Sequence, residues 1–269
     1  MPSNSFSSRP PDKATNVILH GDCLTEMRKL ESGSIDLIVT SPPYNLKRTT
    51  GGGIKNGGHK AKWKVNQLKE GYADHDDNMP HAEYVEWQRE CLTEMMRLIP
   101  EDGAIFYNHK NRVQAGLLQD RSDILSGFPV RQIITWDRGS GFNFNDSFFL
   151  PTTEQIYLIA NAKFKLAKGA NRFTDVWRVP PERDNSHPAP FPVEIALRCI
   201  SSTNAKIVLD PFFGSGTVGV AARELGRRWI GIELSAEYIK LAEERLPISG
   251  AETLTRLKEE YASLANPDG

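Results

Sequence analysis

Apolar and polar positions along the chain follow two periods. Short apolar runs stand at Val17–His20 ("VILH"), Ser34–Thr40 ("SIDLIVT"), Ala104–Asn108 ("AIFYN"), Val130–Trp136 ("VRQIITW") and Glu154–Ala160 ("EQIYLIA"), each bounded by turn-forming residues. That pattern predicts buried strands of one sheet. Between the first two, Leu24, Met27 and Leu30 recur at helical spacing. Strand, helix and strand within about 25 residues make a βαβ unit, which implies parallel pairing. Pro80 opens a long amphipathic helix with Tyr84, Trp87, Cys91, Leu92, Met95 and Leu98 on one face, closed by Pro100 and Gly103. A second βαβ unit fills Lys206–Leu246: strand "KIVLD", a glycine-rich turn, a helix, strand "RRWIGIEL" and helix "AEYIKLAEERL". The expected architecture is one α/β domain over 16–246, doubly wound around a mostly parallel sheet. A disordered lead covers 1–15, and a tail or helix covers 247–269.

Two segments break this rhythm. Leu46–Glu70 holds five glycines and seven basic residues against the single acid Glu70, and opens a basic loop over 46–75. Asn161–Pro190 is polar and proline-rich, and reads as a short recognition or connector segment over 161–190. Long loops in compact domains are usually functional or disordered.

Composition narrows the class. With 39% hydrophobic and 25% charged residues the chain is an ordinary globular protein. Its formal net charge is −1, so a nucleic-acid partner must be met by a local basic patch. Cys23, Cys91 and Cys199 show no CxxC spacing, which argues against a zinc site or disulfide scaffold and fits a reducing cytoplasm. No apolar run approaches the roughly 18 residues of a membrane span. The polar start "MPSNSFSSRPPDK" lacks the apolar core of a signal peptide.

Chemistry concentrates in two places. In "VLDPFFGSGTVGVAARELG", Gly214, Gly216 and Gly219 satisfy GxGxxG between a strand and a helix. Glycines there permit a tight turn and close approach of a ligand to the helix N-terminus. Glu233 ends the next strand, placed to accept hydrogen bonds from ribose hydroxyls. Asp210, Pro211, Phe212 and Phe213 fill the turn with an acid and bulky residues, which disfavours a pyrophosphate and suits a ligand carrying an amino group. The second place is "LIVTSPPYNLK", Leu37–Lys47, where a buried strand runs into Ser41, Pro42, Pro43 and Tyr44. Two prolines fix φ twice and remove two donors, so the strand must stop there.

Together "DPFFGSGT" and "TSPPY" resemble the cofactor and catalytic motifs of S-adenosylmethionine-dependent DNA amino-methyltransferases. The order, catalytic motif first and cofactor motif last, is similar to the permuted β class, and the resemblance covers about residues 16–246. It implies a Rossmann-like fold, S-adenosylmethionine as cofactor and double-stranded DNA as substrate. It also implies base flipping, because an exocyclic amine is out of reach inside a duplex.

An exocyclic amine is a poor nucleophile, its lone pair being delocalised into the ring. The Ser41 hydroxyl and the Pro42 carbonyl would accept its hydrogen bonds and localise that pair. Pro42 and Pro43 hold the carbonyl extended, and Tyr44 offers a face for the flipped base to stack on. Catalysis is then positioning and electrostatics without a covalent intermediate. In the family Ser-Pro-Pro-Tyr goes mostly with N4 of cytosine and Asp-Pro-Pro-Tyr with N6 of adenine. "HPAPFP" at His187–Pro192 leans the same way, so N4-cytosine is the leading expectation and N6-adenine the alternative.

The resemblance also assigns the cofactor side. Asp22, in "HGDCL", matches the position that accepts a bond from the cofactor's adenine amine, and as plain sequence it is also a helix N-cap. Pro192 and Glu194 open a helix whose start faces the methionine end. Ser215 and Thr217 reach the cofactor carboxylate or simply cap a helix, and Asp210 orients the turn or the cofactor amine. Lys47, Arg48, Lys55, Lys60, Lys62 and Lys64 begin at the mouth of the site and would contact phosphates, and Trp63 among them would stack on a base or fill the gap left in the duplex. "RGSGFNFNDSFF" at 138–149 would line the base pocket, with Trp136 and Phe142 equally suited to the core. A homodimer and a cognate restriction endonuclease are expected partners. The rivals are a nicotinamide-dependent oxidoreductase, resting on GxGxxG alone, and an enzyme of the same chemistry acting on RNA or a protein glutamine.

Overall fold

The computed structural model describes residues 15–45, 79–114, 117–141, 146–181 and 192–246. The expectations on the lead, the basic loop with Lys47, Arg48, Lys55, Lys60, Lys62, Trp63 and Lys64, Phe142, His187 and the tail lie outside the described residues.

The strands are β1 (Val17–His20), β2 (Leu37–Thr40), β3 (Ala104–His109), β4 (Arg112–Gln114), β5 (Leu117–Gln119), β6 (Val130–Asp137), β7 (Thr153–Ala160), β8 (Val176–Arg178), β9 (Ile207–Asp210) and β10 (Arg228–Glu233). The helices are α1 (Cys23–Lys29), α2 (His81–Leu98), α3 (Ser122–Leu125), α4 (Val193–Ser201), α5 (Thr217–Glu224) and α6 (Ala236–Arg245). Eight strands form one sheet in the order β1-β10-β9-β2-β3-β7-β6-β8, and β4 and β5 pair apart as a small hairpin. From β1 through β3 every pairing is parallel, as is β6 with β8. Only β7 runs antiparallel to both neighbours, β3 and β6.

Side chains alternate across the sheet with period two, and both faces are covered. In β2, Leu37 and Val39 enter the cluster beneath α4 and α5, while Ile38 enters the one beneath α1 and α2. β3 repeats the division with Phe106 on one face and Ile105 and Tyr107 on the other. This is why β2 and β3 read as continuous apolar runs. Among the described residues no helix is long and apolar enough to cross a membrane.

Three details depart from the sequence reading. β2 starts at Leu37, not Ser34, because the Asp36 carboxylate turns aside to accept from the backbone N–H groups of Lys206 and Ile207 at 2.8 and 2.9 Å. The segment 161–190 is not only a connector, since it contributes β8 at the sheet edge. Trp136 is core: it is 4% exposed and its Nε1 donates to Val179 O at 2.7 Å.

Candidate active site

The helices that follow β2 and β9 cover opposite faces of the sheet, α2 one and α5 the other. The crevice between the C-terminal ends of β9 and β2 is therefore a topological switch point, where open α/β sheets bind their ligands. The candidate residues gather along this edge. β1 ends before Asp22, β10 ends at Glu233, β9 at Asp210 and β2 at Thr40, just before Ser41. Across the crevice Thr40 Oγ1 donates to Asp210 Oδ1 at 2.7 Å, which ties the Pro-Pro strand to the glycine turn. Burial pushes the Asp210 carboxyl up to about 7, although the bonds from Thr40 and from Phe212 N oppose the rise.

The glycine turn is held by carboxylates. Gly214 and Gly216 take left-handed φ of 51° and 82°, which only glycine adopts without strain. Asp210 Oδ1 accepts from Phe212 N at 3.0 Å, and Glu233 Oε2 from Gly214 N at 2.7 Å. Phe213 N and Gly216 N are bonded to the carbonyls of Ile232 and Phe213. The turn's N–H groups at 212, 213, 214 and 216 are thus engaged by the protein, so this is no phosphate cradle. Three acids along one edge (Asp22, Asp210 and Glu233) instead fit a ligand with amines, ribose hydroxyls and a positive sulfur. Their chemistry suits S-adenosylmethionine and weighs against a dinucleotide.

Several expected cofactor residues carry structural duties. Asp22 is the N-cap of α1: its Oδ1 accepts from Thr25 N and Thr25 Oγ1, both at 2.9 Å. Phe213 is a correction, because it is 3% exposed and belongs to the core. Its ring stacks on Trp229 with centroids 5.3 Å apart and fills the space left by Gly219 and Gly231. Phe212 is half-buried and meets Trp87 edge-on at 5.7 Å. Ser215 and Thr217 accept from Arg245 Nη1 at 3.1 and 2.7 Å, so α6 brings a cation to the helix start that the sequence reading did not foresee. Pro192 is the N-cap of α4, and Glu194 pairs with Arg198 one turn on.

Around Ser41 the structure assembles a polar cluster. Ser41 Oγ and Tyr44 OH are 2.7 Å apart, and Tyr44 OH donates to Glu154 Oε2 at 3.1 Å. Asn108 Nδ2 lies 3.2 Å from Ser41 Oγ, 2.7 Å from Tyr44 OH and 3.1 Å from Glu154 Oε2. Arg138 Nη1 stands 3.6 Å from the other oxygen of Glu154. Beneath, the Pro43 carbonyl accepts from Tyr84 OH at 2.8 Å and from Gln88 Nε2 at 3.4 Å. Tyr107 OH donates to Gln88 Oε1 at 2.7 Å, and burial pushes the Tyr107 hydroxyl well up, which keeps it a neutral donor. The Pro-Pro kink therefore rests on buried side chains from α2 and β3. The Tyr44 ring faces His109 with centroids 4.9 Å apart.

Sequence reasoning missed the part played by Thr40, Tyr84, Gln88, Asn108, Glu154 and Arg245, whereas Arg138 opens the 138–149 stretch expected at the base pocket. A signal existed for some of them. Gln88 is a polar residue on the apolar face of α2, and Glu154 is a charge inside an otherwise buried strand.

Comparison with known proteins agrees with this geometry. The DNA methylase family N6_N4_Mtase matches residues 35–244. The Type II methyltransferase M.BglII of Bacillus subtilis is 28% identical over 89% of this chain and 71% of its own length. M2.MboI of Moraxella bovis is 29% identical over 87% of this chain and 88% of its own. Among solved structures, the PvuII cytosine-N4-specific DNA methyltransferase superposes with a TM-score of 0.67 at 18% identity, covering 93% of this chain and 92% of that one. TTHA0409 of Thermus thermophilus, solved with S-adenosyl-L-methionine, gives 0.62 at 24% identity, covering 85% and 92%. At such identities these two establish the fold alone. The family match spans most of the chain, from the strand before Ser41 to α6. The protein belongs to the N6/N4 DNA methylase family.

Proposed function

We propose that the protein transfers a methyl group from S-adenosylmethionine to the exocyclic N4 of a cytosine flipped out of double-stranded DNA. One observation carries the reading: a serine hydroxyl, held by Tyr44 and Asn108, stands at the end of β2 beside the carboxylate-lined turn that ends β9. Asp22, Asp210, Glu233, Phe212, the backbone of 214–217 and Pro192 would hold the cofactor. Ser215 and Thr217, backed by Arg245, would meet its carboxylate. When bound, S-adenosylmethionine supplies an electrophilic methyl group on a positive sulfur. The chain's own contribution is acceptor chemistry. The Ser41 hydroxyl and the Pro42 carbonyl draw the amine's N–H bonds toward themselves, which localises the lone pair and aims it. Tyr44 gives the base a face to lie against, worth roughly 1–3 kcal/mol. Lys47, Arg48, Lys55, Lys60, Lys62 and Lys64 would contact the DNA backbone, and Trp63 would stack on a base or fill the gap left in the duplex.

The test is methylation of plasmid DNA with labelled S-adenosylmethionine, followed by mass spectrometry of the nucleosides. N4-methylcytosine is expected. N6-methyladenine is the second reading, favoured by the breadth of the family, and would keep fold and cofactor while removing serine as the determinant of the base. No labelled nucleoside at all would move the substrate to RNA or protein. The relatives' designation as Type II methyltransferases supports a cognate restriction endonuclease as partner, and a cytoplasmic site of action follows from a DNA substrate. A homodimer is proposed with it, to be checked by sedimentation.

A further inference from the structure

A hydroxyl that is to accept a hydrogen bond from an amine must send its own proton elsewhere. Ser41 has such an outlet. Its Oγ is 2.7 Å from Tyr44 OH, and Tyr44 OH donates in turn to the carboxylate oxygen Oε2 of Glu154 at 3.1 Å. Asn108 presents its amide nitrogen to all three oxygens, so neither hydroxyl can spend its proton on that amide edge. Glu154 is 6% exposed and lies in β7, far from either sequence motif. A buried acceptor at one end fixes the direction of every bond in the row.

We propose that Ser41, Tyr44 and Glu154 form a proton wire in which Glu154 is the terminal base of methyl transfer. The proposal rests on the amino-methyltransferase reading above. As the amine nitrogen gains its carbon–nitrogen bond, the carbon–sulfur bond breaks and the bonding pair stays on sulfur. The nitrogen is then cationic with one proton too many. That proton passes to Ser41 Oγ, the serine proton to Tyr44, and the tyrosine proton to Glu154, which ends as a neutral carboxylic acid. Charge balances: one cation and one carboxylate are consumed, and a neutral methylamine, a neutral thioether and a carboxylic acid remain. Before transfer the same row keeps Ser41 an acceptor toward the amine, so Glu154 acts twice through one set of bonds. Arg138 Nη1, 3.6 Å from the carboxylate's other oxygen, holds Glu154 in place between β6 and β7.

The wire is tested with Glu154→Gln, Tyr44→Phe and the double variant, measuring single-turnover methylation of plasmid DNA. Calorimetric binding of S-adenosylhomocysteine and the unfolding midpoint are measured beside it. Phenylalanine keeps the ring for stacking and removes only the hydroxyl in the row. Each single variant is expected to lower the methyl-transfer rate constant roughly 10²-fold. The double variant should be no slower than the worse single, because a wire cut once is already cut. Affinity for S-adenosylhomocysteine should stay within about twofold. Losses that multiply in the double variant, or a Glu154→Gln rate within about twofold of wild type, overturn the wire. So does a rate loss matched by an equal loss of cofactor-product affinity or by a collapse of the unfolding midpoint. Wild-type protein that methylates no DNA overturns the underlying reading, and the wire with it. Those outcomes are separable because the reading is tested on wild type alone.

Discussion

At the scale of the residue, Ser41 and Asp210 carry the sharpest expectations. Ser41→Ala removes the acceptor opposite the amine and should lower the methylation rate on the order of 10²-fold with cofactor-product affinity unchanged. Asp210 makes a statement about pH. Its carboxyl, raised by burial from 3.8 to about 7, keeps its proton in the fold over a range where the unfolded chain has lost it. Its contribution to stability is complete below the unfolded value and is lost as pH rises through the folded one. Denaturation midpoints taken between about pH 4 and 8 should therefore decline more for wild type than for Asp210→Asn; parallel curves would sink the assignment. Ser41, Asp210 and Glu233 were legible because each sits in a local motif with its neighbours in sequence. Glu154 and Asn108 were not, since two separate strands, β7 and β3, bring them to Tyr44 and no spacing along the chain records that meeting.

At the scale of the element, the turn between β9 and α5 was readable because its glycines mark geometry. The packing around it was not. Gly231 has no local signature, yet a methyl group there would stand 2.4 Å from the Phe213 ring, and at Gly219 it would stand 2.6 Å from it. Gly231→Ala should cost about 1–3 kcal/mol by overpacking, read as a lower denaturation midpoint. Asp22 separates capping from binding. Asp22→Ala should cost about 1 kcal/mol of stability by uncapping α1. Asp22→Asn keeps a capping oxygen, so it should hold stability and still weaken cofactor binding in calorimetry. Equal affinities for wild type and Asp22→Asn would reduce Asp22 to a cap. β8 and the β4–β5 hairpin escaped notice for a plain reason: three-residue strands are too short to show a period.

For the whole molecule, the order of the sheet and the distribution of charge decide behaviour. With a formal net charge of −1 the protein has no global field to draw DNA, so the proposed DNA contact rests on the cations of 46–70. Replacing Lys55, Lys60, Lys62 and Lys64 with glutamine should make the salt dependence of DNA affinity shallower, by up to about 0.9 in log–log slope per lost phosphate contact. An unchanged slope would take the loop off the DNA. The doubly wound class was legible from two βαβ units, but the reversal of β7 was not, because an antiparallel strand buried on both faces reads like a parallel one. The sheet order has one more consequence. β1 lies at the edge with β10 as its one neighbour in the sheet, and Trp229 N bonds to Asn16 across 213 positions. The Thr40–Asp210 bond that joins the two halves of the site spans 170. During synthesis β1 must wait for β10, made about 200 residues later, a slow and non-local closure. A chain cut short before β9 therefore never acquires the crevice between β2 and β9. A copy that stops short of β9 lacks the edge on which the cofactor would sit.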